Sequence, residues 1–95
     1  MDYFITSYSY EKARDLGVEI EPSTNQKKKI DVYKSGVKVC EIGAKNYNDF
    51  PTYLNFESED LIPKGTAYER RRLYKKRHKY DKTVAGFYAN RILWW

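Results

Sequence analysis

The sequence predicts a small α+β domain: a β-hairpin within a short antiparallel sheet of about three strands, packed against C-terminal helices. Three observations carry this expectation. Alternating runs, Ile30-Asp31-Val32-Tyr33-Lys34 and Val37-Lys38-Val39-Cys40-Glu41-Ile42, flank Ser35-Gly36, a two-residue turn in which Gly supplies the positive φ. Thr66-x-x-Glu69 has the form of a capping box ahead of a helix. The segment Ala85 to Trp95 is apolar on nearly every side of a helical wheel. Ninety-five residues make a single domain, 1–95, which buries somewhat more than about 60% of its unfolded surface.

In chain order, residues 3–8 (Tyr-Phe-Ile-Thr-Ser-Tyr) favour extended structure through their aromatic and β-branched content. Ser9 then caps a short helix over 10–16, with Gly17 in the terminating position. Val18-Glu19-Ile20-Glu21 alternates as a half-buried strand does, and Pro22 ends it. A polar, lysine-rich loop leads to the hairpin, whose simplest register sets Val32 opposite Val39 and Lys34 opposite Val37. Ile30, Val32, Val37 and Val39 then share one face, with Tyr33 and Cys40 on the other. Asn48-Asp49-Phe50-Pro51 is a cap followed by one or two helical turns over residues up to Leu54, since Pro is tolerated in a first turn. Residues 55–65 form a linker to a helix starting at Ala67. The chain thus divides into a β-rich part (1–54), the linker (55–65) and a helical part (66–95).

Ten Tyr, four Phe and two Trp predict a thin core whose rings keep polar tips at a wet boundary. The single cysteine, Cys40, excludes an internal disulfide and a zinc site built on cysteine pairs; its strand pattern predicts a buried, inert thiol. Met1-Asp2-Tyr3 opens acidic and polar, so a secretory leader is not expected. No apolar run approaches the roughly 18 residues of a membrane span. The expected setting is reducing and aqueous.

Charge is divided sharply. Residues 1–62 hold eight Lys/Arg against eleven Asp/Glu, a balance of −3, whereas residues 63–95 hold ten against two, a balance of +8. A basic excess of this kind favours an anionic partner. On a helical wheel Arg72, Lys75, Lys76, Lys79 and Tyr68 form a continuous polar face. Arg70 and Arg77 fall between Leu73 and Tyr74, and Arg71 and His78 flank Ala67; each pair is seven residues apart and about 20° apart in angle. The first group is expected to be solvated, serving either solubility or phosphate contact. Arg70, Arg71, Arg77 and His78 are expected to be partly buried, either stacked on tyrosines as structural groups or forming a ligand site. In the last helix Trp94 is assigned to the core, and Trp95, with Tyr68, to anchoring a partner.

Arg70-Arg71, then Arg77-His78, then Gly86-Phe87-Tyr88 and Leu93-Trp94 resemble a pattern in small basic proteins encoded by large DNA viruses (phycodnavirus-like), with more distant relatives in tailed phages. Ile30-Asp31-Val32-Tyr33-Lys34, Ile42-Gly43-Ala44 and Asp49-Phe50-Pro51-Thr52-Tyr53-Leu54 fit the same group, so the resemblance spans roughly residues 10–94. It implies a viral origin and supplies no mechanism. The stretch from Lys79 to Ala85 is shorter than in those relatives, which often carry further basic and small residues there.

One His, one Cys and no glycine-rich phosphate loop argue against an enzyme, a metal site or a bound cofactor. The expectation is a non-enzymatic viral protein that binds a polyanion, foremost nucleic acid, through the 66–80 helix by backbone contacts with low sequence specificity. One alternative is a minor capsid or virion protein that bridges subunits through its Tyr/Trp surface. Another is a phosphodiester-processing enzyme that gathers His78, Arg70 and Arg77 with Glu41 or Asp49. The expected location is the virion or the interior of the host cell, not a membrane or the exterior.

Overall fold

The structure, a computed structural model, describes residues 3–95. It is α+β, with four helices around a three-stranded antiparallel sheet in the order β1-β2-β3. The elements are α1 (Ser7–Asp15), β1 (Glu19–Pro22), β2 (Lys28–Lys34), β3 (Val37–Ala44), α2 (Phe50–Ser58), α3 (Thr66–Arg77) and α4 (Val84–Ile92). α4 packs on β3, α1 on α4 and β1, and α2 on α3. Among the described residues no helix is long and apolar enough to cross a membrane.

α1 begins earlier than its sequence signals suggest. Thr6, not Ser9, caps it, accepting from the Ser9 amide at 3.2 Å. Ser9 is fully buried and donates its hydroxyl to the Ile92 carbonyl at 2.9 Å. That long-range bond and the packing of Ala13 override the extended preference at Ser7 and Tyr8, while Thr6 stays extended at φ −77° and ψ 159°. Gly17, at φ 72°, ends the helix where expected.

The hairpin turn is as predicted, with Ser35 at φ 53° and Gly36 at φ 79°. Its register is not. Lys34 pairs with Val37 and Tyr33 with Lys38, but Val32 pairs with Cys40, leaving Val39 as an extra residue in a bulge. One added residue exchanges the faces. Ile30 and Ile42 therefore pair in the sealed core with Val32, whereas Val37 and Val39 are exposed. Cys40, opposite Val32, is half-buried; burial pushes its thiol up, and the nearby Asp31 and Glu41 add to this, so it stays protonated.

β2 also carries a buried carboxylate that the strand pattern does not announce. Asp31, 1% exposed, accepts from Ser23 Oγ at 2.6 Å and from the Thr24 amide and hydroxyl at 3.2 and 3.3 Å. These bonds fold the polar loop back on the sheet. Burial by itself would raise the Asp31 carboxyl; the bonds from Ser23 and Thr24 and the charge of Lys38 outweigh it and hold the group below its usual range.

Asp49 caps α2 as expected, with Pro51 in the first turn. The helix runs on to Ser58, so residues 55–58 belong to it and not to a linker. The predicted capping box of α3 does not form. Gly65, at φ 93°, occupies the cap, which moves Thr66 inside the helix and turns its hydroxyl to the Pro63 carbonyl at 2.7 Å. Glu69 pairs with Arg72 instead. α4 stops at Ile92 and leaves both tryptophans beyond it, because the Leu93 carbonyl accepts from the Phe50 amide at 3.1 Å. Gly43 makes this closure possible: a Cβ there would lie 2.8 Å from Leu93 Cδ1 and from Lys29 Cδ.

The sealed centre is largely aliphatic, built on Ile30, Val32, Ile42, Ile92 and Leu93, with Phe50 and Trp94 beside them. Tyr3, Tyr53, Tyr74 and Tyr88 pack at its margin, and Tyr47, Tyr68 and Tyr80 stand in solvent. Tyrosine thus lines the boundary of the core and does not fill it.

Candidate nucleic-acid interface

α3 carries cations on every side, and its neighbours decide what each one does. Arg72 is exposed but paired, its Nη2 lying 2.6 Å from Glu69 Oε1. Lys75 is half-buried and donates to Asn90 Oδ1. Burial, followed by the charges of Arg71 and Arg91, pushes the Lys75 ammonium down from its ordinary value. Of the group expected to be solvated, only Lys76 and Lys79 are therefore exposed without a carboxylate partner among the described residues.

The group expected to be partly buried divides as well. Arg71 is half-buried, 5.8 Å above the Phe50 ring, and donates Nε to the main-chain oxygen of Trp95. His78 is half-buried, stacked on Tyr74 at 4.2 Å and 26°. Its Nδ1 is 3.9 Å from Asp81 Oδ2, beyond hydrogen-bonding reach. Arg70 and Arg77 are exposed, and Arg70 leans over the Tyr53 ring at 5.9 Å. The wheel placed these two arginines beside Leu73 and Tyr74, on the domain side, and that side is hollow.

The hollow is a cleft of about 590 Å3 among β3, α2, α3 and the segment after α4. Arg70, Arg77 and His78 come to it from α3 and its end, Tyr47 and Asn48 from the loop before α2, and Tyr53 from α2. Tyr74 and Trp94 also line it, their rings stacked at 4.4 Å and 4°. Among the described residues no Asp or Glu lines the cleft. Lys29 does, but its ammonium is buried against Asp49 Oδ2 at 2.9 Å.

Asp49 is a junction. Its Oδ2 also accepts the Tyr3 hydroxyl at 2.7 Å, and its Oδ1 takes the amide and hydroxyl of Thr52 at 3.0 and 2.6 Å. Burial, then the negative charge of Asp49, pushes the Tyr3 phenol far above its ordinary value. Glu41 is committed elsewhere, to Lys38 at 2.6 Å and Asn25 at 3.0 Å. Neither carboxylate lines the cleft that holds His78, Arg70 and Arg77.

The two residues expected to anchor a partner differ. Trp95 is half-buried, packed edge-on against Phe50 at 5.2 Å and tilted against Tyr8 at 5.8 Å. Tyr68 is 63% exposed, touching Phe50 only with an edge-on ring at 5.4 Å. Trp94 is in the core, as assigned. Sequence reasoning missed Tyr47, Asn48 and Tyr53, whose loop and short helix carry no charge pattern to attract notice. No protein-family model, curated protein or solved structure matches this chain.

Proposed function

We propose that this chain is a small basic viral protein, without catalytic activity, that binds nucleic acid through the 66–80 region by backbone contacts of low sequence specificity. The observation that carries the reading is a set of four cations, Arg70, Lys76, Arg77 and Lys79, exposed and without carboxylate partners among the described residues. Unpaired exposed cations release counterions from a polyanion at little desolvation cost. Exposed Tyr80, beside Lys79, adds a ring of the kind that packs on bases or sugars. Arg72 and Lys75 contribute to the field of the helix and less to direct contact. The viral assignment rests on the resemblance of the Arg-Arg, Arg-His and Leu-Trp positions, and it puts the protein in the virion or inside the infected cell.

Fluorescence anisotropy against labelled DNA over a salt series tests the reading. Affinity should fall steeply with salt, with a log–log slope on the order of −3 for four phosphate contacts. Absence of binding at low salt overturns it and favours a second reading, in which the chain bridges virion subunits. That reading is supported by the exposed rings of Phe4, Tyr68 and Tyr80. Mass spectrometry of purified particles, with and without nuclease, separates a protein retained by nucleic acid from one retained by the shell.

A further inference from the structure

We propose that the cleft beneath Arg70 and Arg77 takes a single unpaired nucleotide, so that the chain prefers single-stranded nucleic acid to duplex. This rests on the nucleic-acid reading above and adds a base-binding site to it. The cleft has the two surfaces such a ligand needs. Arg70 and Arg77 lie two turns apart on one helix, on the order of 10 Å along its axis. With no carboxylate in the lining among the described residues, they present a positive rim to phosphates. Inside, Tyr74 and Trp94 wall the cleft with their faces already stacked on each other and His78 stacked on Tyr74, so Tyr47, 73% exposed, is the ring that a base would meet.

Size and polarity agree with this occupant. About 590 Å3 lies within the roughly 300–1,000 Å3 of small-molecule sites. Asn48 supplies an amide that both donates and accepts, suited to any base edge and selective for none. An acidic peptide would satisfy the arginines but has no flat π-face to set against the rings. A duplex keeps its bases stacked inward, so it would reach the cations and leave the cleft unfilled; entry needs a base already unpaired or flipped out.

The test compares a fluorescein-labelled thymidylate oligonucleotide with a duplex of equal length, using the full chain. The single strand should bind about tenfold more tightly than the duplex. Tyr47→Ala should weaken single-strand binding by about tenfold and leave duplex binding unchanged, and Tyr47→Phe should restore it, because only the ring is required. Tyr47 is largely exposed, so these variants keep the fold. Equal affinity for both forms, unaffected by Tyr47→Ala but lowered by Lys76→Glu with Lys79→Glu, overturns the cleft proposal and leaves the polyanion reading standing. No binding to either form overturns both.

Discussion

Tyr74 lies flat on Trp94, with ring centroids 4.4 Å apart and planes within 4°. The contact joins the basic helix to the segment that follows α4, and His78 extends it as a third ring at 4.2 Å from Tyr74. Burial, followed by the charge of Asp81, raises the Tyr74 phenol, so the ring stays neutral and apolar near neutral pH. Stability and the shape of the cleft therefore depend on one half-buried tyrosine. Tyr74→Ala should cost about 2 kcal/mol through lost stacking and an unfilled space, seen as a melting point lowered by about 8–15 °C. Tyr74→Phe, which keeps the stack, should melt close to the parent, and a loss equal to that of Tyr74→Ala would show that the hydroxyl is what matters.

The Lys29–Asp49 pair, 4% and 1% exposed, leads to a second expectation. Removing one member of a buried pair leaves the other charged and without a partner, at a cost of about 3–5 kcal/mol. Asp49→Ala also strips the α2 cap and the acceptor of Tyr3, so it should be the most damaging single change in the chain. Replacing both members, as in Lys29→Met with Asp49→Ser, keeps a capping oxygen and removes the stranded ammonium. The double variant should be more stable than Asp49→Ala in urea titration; additive losses would deny the coupling.

Asp31 makes the sheet acid-sensitive. Its carboxyl is held below the ordinary 3.8 in the folded chain, so the unfolded chain binds the proton more readily. The stabilisation is fully present above that ordinary value and is lost as pH falls through the lower, folded one. As pH falls below the ordinary 3.8, the parent should lose stability more steeply than Asp31→Asn. The variant should start from a lower melting point at neutral pH, having given up charge-assisted bonds to Ser23 and Thr24. Parallel pH profiles would remove Asp31 as the source.

What was legible in the sequence is what short-range chemistry decides. Ser35-Gly36 marks the turn, Gly17 a helix end and Asp49 a cap, because each acts on backbone within a few residues. The bulge at Val39 was hidden: Val37-Lys38-Val39 alternates equally well in either register, and only the packing of Ile42 against Ile30 selects one. The capping box failed because Gly65, one residue before Thr66, took the cap position in a left-handed conformation. The cleft was out of reach for a different reason. Tyr47 and Tyr53, Arg70, and Trp94 come from three separate parts of the sequence and meet only through the fold, so no local pattern encodes them. The helical wheel gave correct angles for Arg70 and Arg77; it had no means of knowing that the side they face encloses space.

Lys75 separates charge that binds from charge that merely accumulates. Its ammonium is pushed down by burial and by Arg71 and Arg91, so at neutral pH the folded state holds this proton less favourably than the unfolded state. The penalty is full below the lowered folded value and is relieved as pH rises toward the ordinary 10.5. Lys75→Gln keeps a donor for Asn90 and discards the charge, and should raise the melting temperature. Lys76→Gln, on an exposed side chain, should leave it unchanged within about 0.5 kcal/mol. Binding should show the reverse order: Lys76→Gln reduces the salt slope by about one, as expected of a lost phosphate contact, while Lys75→Gln changes it little because its ammonium is already bonded within the fold. If both substitutions weakened DNA binding equally, net charge and not the exposed, unpaired cations would govern affinity. Measuring melting and binding on the same two variants decides between these, because a general charge effect predicts the same sign at both positions and the packing of Lys75 predicts opposite ranks.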